Sequence, residues 1–74
     1  MNKREEINNP DSCLSKADDD EPVFVLRAQD KLAPILIDLW ATLAVERGLP
    51  DEKALEARGQ ALKMRNWFPR KYPD

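Results

Sequence analysis

Between Lys31 and Arg47 the chain carries Leu32, Ile35, Leu36, Ile37, Leu39, Trp40, Ala41, Leu43, Ala44 and Val45 with no glycine among them. Wound as a helix at about 100° per residue, Asp38, Thr42 and Glu46 gather at spacing four, with Lys31 beside them. The apolar side chains then sweep roughly 240°, where a helix on a globular surface needs only about 100°. One neighbouring helix cannot cover so wide an arc. This feature sets the terms for the whole fold.

The ends of that helix are legible. Asp30 is a suitable N-cap, and Pro34 falls in the first turn, where a missing N–H costs least. The helix is expected over about 31–47, or from Pro34 itself, since Ala33 before a proline resists the α conformation. Gly48 follows as a left-handed residue closing it, and Pro50 reopens the chain as the first residue of a second helix over about 50–67. Asp51 and Glu52 suit the positive end of the second helix dipole. The Gly48-Leu49 link is short, so the two helices are expected to fold back as an antiparallel hairpin. Ala54, Ala57 and Ala61 form a small-residue stripe fit to meet the first helix closely, with Leu55 and Leu62 next to it. Glu52, Glu56, Gln60 and Lys63 take the other face. Gly59 is a candidate for close backbone approach. Arg58 and Arg65 lie between the Ala and Leu stripes. They either rest their stems on apolar surface and pair with Asp38 or Glu46, or they face a bound partner.

Residues 1–21 show almost no apolar periodicity and carry the run Asp18, Asp19, Asp20, Glu21, so a disordered acidic tail is expected there. The single strand-like run is Val23, Phe24, Val25 and Leu26, after Pro22. A lone strand leaves its backbone groups unpaired. An extended arm over 22–27 therefore needs a second copy, a target's sheet edge, or packing over the helices. The chain past the second helix is expected to be an extended tail.

Composition narrows the chemistry. The 74 residues include no His and one cysteine, Cys13, which rules out an intramolecular disulfide and a multi-cysteine zinc site. Only Gly48 and Gly59 are present, so no Gly-rich phosphate loop exists. Asp38 and Glu46 lie on a solvated stripe rather than in a cleft that would separate their pKa values. Enzymatic activity, a cofactor and a metal are not expected. The start MNKREEINN lacks an apolar core of the signal-peptide kind, and no stretch approaches the ~20 apolar residues of a membrane span, so a cytoplasmic protein is expected.

A folded part of about 50 residues rarely holds enough core to stand alone without a disulfide, a metal or a partner. A two-fold homodimer of hairpins, making a helical bundle with Leu36, Leu39, Trp40 and Leu43 as its core, is the simplest closure. The other closures are a hairpin wrapped by its own arm and one completed by a foreign chain.

Charge is uneven. Residues 1–30 hold four Lys/Arg against eight Asp/Glu, and residues 31–74 hold eight against six. From Arg58 to Pro73 there are five basic residues and no acid, interleaved with aromatics in NWFPRKY. That segment suits a nucleic-acid interface, although the net charge of −2 opposes it. Trp67, Phe68 and Tyr72 either close the open end of the hairpin or stand out as interface anchors.

The segment EPVFVLRAQDKLAP, followed by Trp40 and a terminal Trp…Arg…Pro-Asp, resembles a group of small proteins of phages and prophage regions over most of residues 21–74. The resemblance implies an accessory protein acting inside a bacterial cell, in a class that often binds and blocks a host regulator or defence protein. It carries over no catalytic residues. The expected protein is thus all-α and non-catalytic. It binds a protein partner through the arm (Val23, Phe24, Val25, Arg27) and the basic-aromatic end (Arg58, Arg65, Trp67, Arg70, Tyr72).

Overall fold

The computed structural model describes residues 1–72, which leaves Pro73 and Asp74 of the terminal motif outside the described residues. The fold is helical, with α1 at Lys3–Asn8, α2 at Cys13–Lys16, α3 at Ala33–Glu46 and α4 at Asp51–Arg65. Among the described residues there is no β-strand, only one isolated parallel bridge between Asp30 and Lys71. Among the described residues no helix is long and apolar enough to cross a membrane.

α3 and α4 pack side by side. Partners on α3 fall as numbers on α4 rise: Thr42 meets Arg58, and Asp38 meets Arg65. The contact is built from small side chains. Ala33, Ala41 and Ala44 of α3 and Ala54 and Ala61 of α4 are buried, with Met64 filling the space near the end of α4. Alanine at these positions loses no rotamer freedom on folding, which favours this close seam. Pro34 is the largest side chain fully buried.

α3 ends and α4 starts across Arg47–Pro50. Gly48 takes φ +84°. Its N–H donates to the carbonyl of Val45 at 3.0 Å, and the N–H of Leu49 donates to that of Ala44 at 3.0 Å. This pair of bonds is the Schellman closure, and it satisfies carbonyls that α3 would otherwise leave open. Pro50 sits one position earlier than expected, as the N-cap of α4 rather than its first residue. Its carbonyl accepts from the N–H of Lys53. Asp51 and Glu52 occupy the first turn of α4, and Lys63 and Arg65 the last, each matching the dipole. Gly59 has no atom within 4 Å of where a Cβ would lie, so it serves no close approach.

α3 begins at Ala33, between the two starts that the sequence leaves open. Asp30 does not cap a helix directly; its Oδ1 accepts from the N–H of Leu32 at 2.8 Å, and its carbonyl accepts from Ala33. Leu32 becomes the N-cap and Pro34 lies in the first turn. That turn-forming use of Asp30 competes with the helix and delays it.

The first 21 residues depart from the expected disordered tail by forming α1 and α2. Asn2 accepts from the N–H of Glu5 at 2.9 Å, and Ser12 accepts from that of Ser15 at 3.1 Å, so each short helix has a side-chain N-cap. Ser12 Oγ donates to the carbonyl of Glu6 at 2.6 Å, while the Glu6 carboxylate accepts from the N–H of Leu14 at 2.9 Å. These bonds hold α1 to α2 through polar groups, which apolar periodicity does not report. Gln60 on α4 donates to the Met1 carbonyl at 2.6 Å and tethers the segment to the helices.

Candidate interaction surfaces

The apolar arc of α3 is shared unequally. α4 takes the side holding Ala33, Pro34, Ala41 and Ala44. The large side chains fall on the side it does not take: Leu36, Leu39, Trp40 and Leu43 all stay about half exposed, Trp40 at 51%. A seam of alanines brings the helices close but covers little area, and so the leucines remain wet. Where α3 meets α4 beside Trp40, an open groove of about 820 Å³ runs over Leu36, Ile37, Ala57 and Gly59, with Lys53 and Lys63 on its α4 rim and Leu26 at its edge.

The opposite side of the helix pair is polar and organised on one carboxylate. Arg65 Nη2 donates to Asp38 Oδ2 at 2.6 Å, and Arg58 Nη1 lies 3.8 Å from Asp38 Oδ1. Arg58 Nη2 also donates to Thr42 Oγ1 at 3.0 Å. Of the two readings open to these arginines, the structure places both on Asp38, and Glu46 takes neither.

The basic-aromatic segment turns back across the start of α3. The N–H of Lys31 donates to the Lys71 carbonyl at 2.9 Å, and the N–H of Lys71 donates to the Gln29 carbonyl at 2.6 Å. Arg70 donates through Nε to the carbonyl of Ala28 at 3.3 Å and through Nη2 to that of Lys31 at 3.4 Å. The Lys31 ammonium sits 4.9 Å from the centre of the Tyr72 ring, a cation–π contact. The extended tail expected from the sequence lies as a clasp over residues 28–31.

This sorts the residues singled out in the sequence. Val23, Phe24, Val25 and Arg27 are exposed, Phe24 at 86%, on a segment with no regular secondary structure. Trp67 is exposed as well. Arg58, Arg65, Arg70 and Tyr72 all have partners within the chain. Phe68, at 87% exposure, is the more open aromatic of the Trp67-Phe68 pair. Its position before Pro69 is the signal that it belongs to a turn rather than to the end of α4. Among the described residues no group of three or more His, Cys, Asp or Glu is placed to hold a metal ion. Compared with known protein families, with curated proteins and with solved structures, the chain matches none.

Proposed function

We propose that this protein is a non-catalytic protein-binding module, phage-encoded and acting in the bacterial cytoplasm, that binds and restrains a host protein. In this reading α3 and α4 are an antiparallel hairpin, two hairpins join into a helical bundle through Leu36, Leu39, Trp40 and Leu43, and the arm engages the target. The observation that carries it is the amount of large apolar side chain left in water. Phe24, Phe68 and Trp67 on one hand, and the leucine face of α3 on the other, are exposed together in one small chain. Fully burying one such side chain contributes about 1.5–3 kcal/mol, so association has a large reserve to draw on. Nucleic-acid binding draws less from the site, since the guanidiniums of Arg58 and Arg65 are already turned to Asp38.

The test is affinity capture from bacterial lysate with the full chain and with Phe24→Asp, read by mass spectrometry and by stoichiometry. A single partner recovered in fixed ratio by the wild type, and lost with Phe24→Asp while helix content stays unchanged, is the expected result. Recovery of that partner by both proteins would reject the arm as the binding surface. Recovery of nothing but the bait would reject the host-protein reading.

A further inference from the structure

We infer that the exposed face of α3 is a self-complementary seam on which a second copy of the chain packs antiparallel, so that the two arms emerge at opposite ends of the assembly. This rests on the two-copy part of the function proposed above and specifies its geometry.

Leu32, Leu36, Leu39 and Leu43 follow one another at spacings of four, three and four. Leu32 has helical φ and ψ, so it continues the helix frame of α3. At about 100° per residue the four leucines fall within roughly 60° of one another, the narrow stripe of a coiled-coil contact. All four are 41–53% exposed, and Ile35 and Trp40 flank them, also exposed. About half of six large side chains is on the order of 500 Å² per copy. That is near the upper end of the largest patch on a typical monomer, ~300–600 Å², and a large part of the ~800 Å² per partner in a standard interface.

The direction is decided by charge. Glu46 continues the leucine spacing, three residues beyond Leu43, and lies on the same stripe. It is also the last residue of α3, at the negative end of its own dipole, and α3 has no basic residue in its last turn and no acidic residue in its first. A parallel pair sets Glu46 directly against Glu46 at the seam. An antiparallel pair layers Leu32 on Leu43 and Leu36 on Leu39, every leucine meeting a leucine. At 1.5 Å per residue it holds the two Glu46 carboxylates about 25 Å apart. Each then approaches Lys31 and the positive end of the facing α3. Asp30, beside Lys31, keeps its negative charge while its Oδ1 accepts from the N–H of Leu32 and offsets part of that attraction, so the Glu46–Glu46 repulsion of a parallel pair is what sets the direction.

Sedimentation equilibrium of the full chain tests the seam, and cysteine crosslinking tests its direction. The wild type is expected to sediment as a dimer at micromolar concentration. Leu39→Glu is expected to raise the dissociation constant at least about 100-fold, because a central contact is lost twice by symmetry, with helix content by circular dichroism unchanged. A wild type that sediments as one chain at 100-micromolar order, or a Leu39→Glu protein that stays dimeric, overturns the seam. For direction, Leu32→Cys and Leu43→Cys are each made with Cys13→Ser. Oxidation of the mixture is expected to link the chains, and oxidation of either variant by itself to leave them unlinked. Linking of Leu43→Cys by itself overturns the antiparallel geometry while leaving a two-copy assembly standing.

Discussion

Gly48 and Gly59 offer the same chemical change in two backbone settings, and the structure gives it opposite signs. A methyl group added at either position meets no atom within 4 Å, so packing contributes nothing to the comparison. At Gly48 the backbone has φ +84°, where an L-residue costs about 1–2 kcal/mol. At Gly59, inside α4, alanine instead recovers the helix-propensity deficit of glycine, about 0.8–1 kcal/mol. Gly48→Ala should therefore destabilise by about 1–2 kcal/mol and Gly59→Ala stabilise by about 1 kcal/mol. For a domain of this size each kcal/mol moves the melting temperature by about 4–8 °C. The two variants should thus melt on either side of the wild type, separated by at least about 8 °C on the same scale. Thermal melts followed by far-ultraviolet circular dichroism, all at one protein concentration so that association does not shift the comparison, read the difference. If both variants move in the same direction, the left-handed turn at residue 48 or the open surroundings of residue 59 is misplaced.

Other substitutions probe the remaining contacts. Asp38→Asn removes the negative charge shared by Arg58 and Arg65, but the arginine side chains are 45% and 41% exposed, so the loss should be only about 1 kcal/mol and should shrink in high salt, as urea titrations at two ionic strengths would record. Ala61→Leu forces a large side chain into the fully buried seam between α3 and α4 and should cost about 1–3 kcal/mol in the same titration; no loss would mean the helices stand further apart than described. Ser12→Ala removes an N-cap and a bond to the Glu6 carbonyl, so hydrogen exchange should quicken in α2 and leave α3 and α4 unchanged. Phe24→Asp should leave the melting transition within the range of an ordinary surface change, about ±0.5 kcal/mol, since its ring is almost wholly in solvent.

How much of this is legible in the sequence depends on how local the cause is. The end of α3 at Gly48 is legible because a glycine with a proline two residues on is a local signature. The alanine seam is legible because Ala54 and Ala61 recur at helical spacing. The wheel also shows that one helix cannot hide all of α3, but not which part it hides. That choice follows from the small size of the alanines, which draws α4 to Ala41 and Ala44 and leaves Leu39 and Trp40 out. α1 and α2 escape an apolar reading because they are held by caps and by Glu6, although Asn2 and Glu5 at spacing three are a faint local sign. The clasp of Arg70 on Ala28 and Lys31 is invisible in advance, since it joins a side chain to backbone carbonyls some forty residues away. The Val23–Leu26 run has strand propensity yet forms no strand, because propensity supplies no ladder partner.

The bridge between Asp30 and Lys71 has a practical corollary for anyone decorating this molecule. A fluorophore or purification handle fused after residue 72 would be delivered to the foot of the segment bearing Phe24, and would crowd the binding surface proposed there. The bend at residues 47–50 stands about 20 Å away along α3 at 1.5 Å per residue, and is the better place for a reporter.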